Sequence, residues 1–130
     1  MPAPRIAVLE DEEDVRAVWV EALEEAGYRV EGFAGGPELL ARLPDLAPDL
    51  ILLDMIMPEM DGYEFLARLR ANPASSHIPL VIVSALGESL ARSIDQRGAA
   101  ALGVAAILAK PLTLPALIEH VERVVGPPAA

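Results

Sequence analysis

Short apolar runs alternate along the chain with segments of helical period. The runs predict strands at Ile6 to Leu9, Tyr28 to Phe33, Leu50 to Leu53, Leu80 to Val83 and Ala105 to Ala109, each too brief for a helix. Four of the five are continuously apolar, the mark of parallel strands covered by helices on both faces. Between them, Val15, Trp19 and Leu23 recur at every fourth position, with Val18, Ala22 and Ala26 beside them, and predict a first helix ending at Gly27. A short second helix is expected over Pro37 to Leu43, and a third over Gly62 to Arg70, stopped by Asn72-Pro73. A fourth is expected over about Glu88 to Gln96, with a continuation to Leu102 left open. Thr113 caps a fifth, which tolerates Pro115 in its first turn and buries Leu117, Ile118, Val121 and Val125. The result is an α/β domain of five βα repeats, a doubly wound five-stranded parallel sheet of flavodoxin-like type with strand order 2-1-3-4-5.

Composition narrows this picture. The 130 residues suit one domain, residues 1–125, followed by a tail or linker stub over 126–130. A chain of this size removes about two-thirds of its accessible area on folding, enough for a core without metal or disulfide staples. The absence of cysteine excludes thiol chemistry, Cys-ligated zinc and iron–sulfur clusters. Ten basic residues against 20 acidic ones give a net charge of −10, which opposes direct binding to nucleic acid and to anionic membranes. Mean hydropathy is +0.37, yet the longest apolar stretch, Ala99 to Ala109, has eleven residues and cannot span a bilayer. With no leader-like N-terminus, a cytoplasmic protein is expected.

The polar residues just past each apolar run carry the chemistry, because ligands of such sheets bind outside the carboxyl ends of the strands. They are Glu10 and Asp11, Asp54, Ser84 and Lys110. In the order 2-1-3-4-5 they converge on one edge. Clustered carboxylates repel by about 4 kcal/mol per pair at 4 Å and an effective dielectric of 20, so they call for a cation. An oxygen-only donor set suits Mg²⁺, to which the backbone carbonyl of Ile56 could add a ligand. Glu12, Glu13 and Asp14 fit the simpler role of acids at a helix N-terminus. Lys110 is the one lysine, against nine arginines; a compact ammonium on a flexible stem can meet a phosphoryl oxygen as a point charge. Pro111 after it is a candidate cis bond that would aim the lysine inward. His77 and His120 lack metal spacing, Trp19 falls on an apolar stripe, Met55, Met57 and Met60 suit loop packing, and Tyr28 and Tyr63 suggest no chemistry.

Taken together, these residues resemble the receiver domain of two-component response regulators, over residues 5 to about 125. The most specific stretch is Asp54-Met-Ile-Met-Pro-Glu-Met-Asp-Gly62. Concordant with it are Val8-Leu-Glu-Asp-Glu-Glu-Asp-Val-Arg16, Gly27-Tyr28, Ile78-Pro79 before a strand ending in Ser84-Ala85, and Lys110-Pro111. The resemblance implies that Asp54 takes a phosphoryl group from a phosphohistidine. Asp11 and Asp54 would bind Mg²⁺, with Glu10 helping through water, Lys110 neutralising phosphoryl oxygens and Ser84 bonding the aspartyl phosphate. It implies as partners a histidine kinase or phosphotransfer protein and a downstream protein target or output domain, with a homodimer also open. Such a domain catalyses its own phosphorylation and slow dephosphorylation, but is first a signalling switch.

Three positions depart from the family pattern. Ile107 stands where an aromatic switch residue is usual. Ser84 and Lys110 are 26 positions apart, which predicts an extension of about one turn in the fourth helix or its entry loop. Ile56 and Leu86, two positions after Asp54 and Ser84, are apolar and predict slow loss of the phosphoryl group. The alternative reading is a degenerate receiver that serves as a phosphorylation-independent interaction module. A phosphatase of the haloacid dehalogenase type is disfavoured because Ile56 stands where a second acid is needed. A flavodoxin-like cofactor carrier is disfavoured by the acids after the first strand.

Overall fold

The structure, a computed structural model, describes residues 3–53, 62–73, 75–84, 104–110 and 112–128, with the backbone alone at 62, 63 and 84. The strands are β1 (Arg5–Leu9), β2 (Arg29–Phe33), β3 (Leu50–Leu53), β4 (Leu80–Ser84) and β5 (Val104–Ala109). The helices are α1 (Glu13–Ala26), α2 (Gly36–Leu46), α3 (Gly62–Ala71) and α4 (Leu114–Val125). All strand pairings are parallel, and the sheet has the expected order β2-β1-β3-β4-β5. Leu9 lies opposite Leu53 and Phe33, Leu53 opposite Ile82, and Ser84 opposite Ala109.

Alternate residues of a strand face opposite sides, and here both sides are covered. Ala7, Leu9, Ile51 and Leu53 join Leu39 of α2 and Phe65 of α3 in one core. Ile6, Val8, Leu50 and Leu52 join Trp19 and Leu23 of α1 and Leu117 of α4 in the other. Every residue from Ile6 to Leu9 and from Leu50 to Leu53 is fully buried. Leu80 to Val83 are buried as fully; burial of such a side chain is worth about 1.5–3 kcal/mol, so the three inner strands β1, β3 and β4 anchor the fold. The flanking strands β2 and β5 are partly exposed along their length.

The helix ends follow local chemistry. Gly27 closes α1 at φ 110°, where its amide bonds to Glu24 O, and that of Tyr28 to Leu23 O. A Cβ at Gly27 would stand 2.9 Å from Pro128 Cβ, so the chain leaving α4 passes close against this turn. The Tyr28 hydroxyl donates to Gly126 O at 2.8 Å and ties the same two segments together. Thr113 caps α4 as expected, its hydroxyl accepting from the Ala116 amide.

Some expectations need correction. The second helix does not stop at Leu43 but runs through Pro44 to Leu46. A proline this near the end forfeits one bond only, and the last turn has other partners. Ala47, at φ 44°, donates to Leu43 O, while Arg5 Nη1 donates to Leu46 O at 2.9 Å. Leu46 itself is buried. Val18, expected beside the apolar stripe of α1, is 48% exposed. The second strand begins at Arg29 rather than Tyr28, the fourth includes Ser84, and the fifth begins at Val104. The helix expected over Glu88 to Gln96, its proposed extension, the methionines of the 55–60 stretch and Pro111 lie outside the described residues.

Candidate functional site

The carboxyl edge of the sheet carries the charged groups. β1 delivers Glu10 there: its amide donates to Phe33 O at 3.0 Å, so the β1–β2 ladder holds the backbone one residue past the strand. Its carbonyl accepts from Arg16 Nη1 at 2.9 Å, one turn into α1. Gly32 makes room for this arginine, since a Cβ there would stand 3.1 Å from Arg16 Cγ. The acidic loop is therefore braced from the strand and from the helix.

The Glu10 side chain is 1% exposed. Its Oε1 accepts from the Glu12 amide at 3.2 Å, and its Oε2 lies 3.5 Å from Lys110 Nζ. A buried carboxylate is tolerated only when its charge is compensated; the amide and the ammonium both contribute here. Lys110 arrives at the end of β5 with 29% of its side chain exposed, and its Nζ also stands 5.4 Å from the centroid of the Trp19 ring. A cleft of about 480 Å³ beside it is lined by Glu12, Val15, Trp19, Val83, Lys110 and Leu112.

The structure thus brings Glu10 and Lys110 together although 100 positions separate them in sequence. Asp11 follows Glu10 on the same loop and is exposed to solvent. Ser84 ends β4 in register with Ala109, directly before Lys110 on the neighbouring strand, and nothing is described of its side chain. Asp54 and Ile56 lie outside the described residues, immediately after β3. Among the described residues no three metal-ligating side chains gather in one place. Glu10 and Asp11 nonetheless offer hard oxygen donors at the edge, which suit Mg²⁺ rather than a softer metal.

Two participants escaped the sequence reading. Trp19 was expected purely in the core; it is buried there, yet it also presents its ring to Lys110. Arg16 gave no cue beyond its place one turn after the acids. The available signal for Trp19 was helical spacing, since Val15 and Trp19 fall on one stripe of α1 that continues from Glu12 just before it, and all three line the cleft. His77 is exposed between α3 and β4, and among the described residues no helix is long and apolar enough to cross a membrane.

Comparison with known proteins converges on one family. The model of the response regulator receiver domain matches residues 6–122. The response regulator receiver protein CpdR of Brucella abortus is 36% identical over 119 residues, covering 92% of this chain and 94% of that protein. The phosphate regulon transcriptional regulatory protein PhoB of Rhizobium meliloti is 35% identical over 119 residues, 92% of this chain but 51% of PhoB, so the chain spans about half of that relative. The chemotaxis response regulator CheY4 of Vibrio cholerae superposes with a TM-score of 0.80 at 27% identity, covering 93% of this chain and 98% of that one. With the fold, the strand order and the family match in agreement, the chain belongs to the receiver domains of two-component response regulators.

Proposed function

We propose that this receiver is a phosphoacceptor, in which Asp54 takes a phosphoryl group from the phosphohistidine of a histidine kinase or phosphotransfer protein. The observation that carries the reading is the buried Glu10 carboxylate facing the chain's one lysine across the carboxyl edge of the sheet. Asp54 attacks phosphorus as the carboxylate, an O–P bond forms and the N–P bond breaks. The electron pair of that bond stays on the imidazole nitrogen, and the products are an aspartyl phosphate and a histidine.

Lys110 places a positive charge where phosphoryl oxygens gather negative charge in transit, so positioning and electrostatics supply the acceleration. Glu10 holds that ammonium at the edge, and Arg16 and the β1–β2 ladder fix Glu10 in turn. Mg²⁺, when bound, supplies further positive charge against the phosphoryl oxygens; Asp11, Asp54 and the Ile56 carbonyl would hold it, with Glu10 behind them through water. Ser84 hydrogen-bonds the new phosphoryl group and draws its loop inward, shifting an existing balance between two conformations.

Ile107 shapes the output. It is half-buried on β5 and packs against the core that contains Phe65 and Leu39. A branched aliphatic side chain there cannot swing as a ring would, so the switch works through another part of the surface or through a docked protein target. This same residue favours the second reading, an interaction module that signals without phosphate.

Acetyl phosphate with Mg²⁺ separates the two. The intact protein should gain the mass of one phosphoryl group, and Asp54→Ala should gain none. An unchanged mass in the wild type, or an equal gain in the variant, removes the phosphoacceptor reading.

A further inference from the structure

We propose that Trp19 is a positioning residue for Lys110, its indole face fixing where the ammonium stands at the acidic edge; this rests on the phosphoacceptor reading above. Among the described residues, two attractions bear on Lys110 Nζ, the Glu10 carboxylate oxygen at 3.5 Å and the Trp19 ring, whose centroid is 5.4 Å away. That distance is within the range where a cation is held by the negative face of an aromatic ring, and tryptophan is the strongest such partner.

The two partners constrain the ammonium differently. Glu10 supplies a point of attraction but leaves the four-carbon stem free to approach from many directions. Trp19 is 7% exposed and wedged in the core with Leu23 and Leu117, so its ring has a fixed orientation. The cleft of about 480 Å³ is the space the stem would otherwise sweep, and the indole forms one of its walls. Removing the ring therefore widens the arc open to Lys110 while leaving the acids in place. The effect falls on how often the ammonium stands ready, not on how tightly the phosphodonor or the metal is held.

A packing role alone would be served by any large apolar side chain, which the test exploits. In phosphorylation by acetyl phosphate at saturating Mg²⁺, Trp19→Leu should lower the maximal rate about five-fold, the size expected for one cation–π contact. The donor concentration giving half the maximal rate should not move. Trp19→Phe keeps an aromatic face and should stay within about two-fold of the wild type. Because Trp19 is the sole tryptophan, its emission in the unaltered protein gives a second measurement that needs no folded variant. Beryllofluoride with Mg²⁺ should draw the ammonium toward the bound anion and change the emission relative to Mg²⁺ alone. A Leu variant as fast as wild type, Leu and Phe variants equally slow, or unchanged emission with the mimic seated by fluorine NMR overturns the proposal. Failure of the wild type to be phosphorylated removes the phosphoacceptor reading instead, and this inference with it.

Discussion

At the residue scale, Asp11 has the simplest consequence. It is exposed within a run of five acids, Glu10 to Asp14, that passes from the loop after β1 into the first turn of α1, and without a cation each negative charge there opposes its neighbours. Asp11→Asn should therefore raise the stability of the metal-free protein, by about 0.5–1 kcal/mol for a partly solvated site. The same change should abolish the stabilisation that Mg²⁺ gives the wild type, which for a bound ligand reaches about 2.7 kcal/mol at a hundred times its Kd. Thermal melts with and without Mg²⁺ read both effects. Tyr28 has the opposite character. Burial, and then the negative charge of Glu122, raise its phenol pKa above the ordinary value. The neutral form is favoured in the fold, so the contribution of Tyr28 is complete below the ordinary tyrosine range and is lost as pH rises through it toward the raised value. Tyr28→Phe should lose about 1 kcal/mol at neutral pH, from the bond to Gly126 O. Its unfolding free energy should also decline less steeply above about pH 10 than that of the wild type, as urea titrations at several alkaline pH values would show.

At the scale of elements, Arg70 braces the connection from α3 to β4 together with the buried Ser75 hydroxyl, which donates to Leu69 O at 2.7 Å. Arg70 at the end of α3 donates to the carbonyls of Ser75, Ser76 and Ile78, at 3.2, 2.8 and 2.8 Å. Bonds to a charged donor are worth more than neutral ones, so Arg70→Ala should cost about 2–3 kcal/mol in urea unfolding. It should leave the charged pair at the opposite edge of the sheet untouched. Four of the strands were legible in the sequence because short, continuously apolar runs bounded by turn residues suit buried parallel strands and little else. The capped final helix was legible because Thr113 and Pro115 mark its start. The end of α2 was not legible: Pro44 is a helix breaker by local rule, and only Arg5, arriving from β1, satisfies the carbonyl beyond it. The exposure of Val18 was hidden for a related reason, since helical periodicity gives a stripe but not its width. Of the candidate site, strand order placed Glu10 and Lys110 on one edge, but β3 and β4 stand between their strands, so the 3.5 Å meeting depends on the reach of the lysine stem. Helical spacing placed Trp19 on the stripe beside the acids, but its approach to Lys110 could not be read, because it depends on how far the lysine stem reaches past the end of β5 toward α1.

At the scale of the whole molecule, the net charge of −10 favours a partner with a basic docking face and makes the encounter sensitive to salt. Under the proposed function, the lifetime of the aspartyl phosphate would likewise be a property of the whole site. Ile56 and Leu86 offer no polar group that could orient an attacking water. The aspartyl phosphate should therefore persist well beyond seconds once the donor is removed, and loss of labelled phosphate within seconds would contradict this.

The hydroxyl bond from Tyr28 to Gly126 and the close passage of Pro128 over Gly27 have a practical consequence. They pin the end of the last helix at the amino pole of the strands, the far side of the sheet from Glu10 and Lys110. A fluorophore or surface tether attached after residue 128 would thus leave the acidic rim clear, and the protein could be immobilised for kinase-capture assays without shielding the face under study.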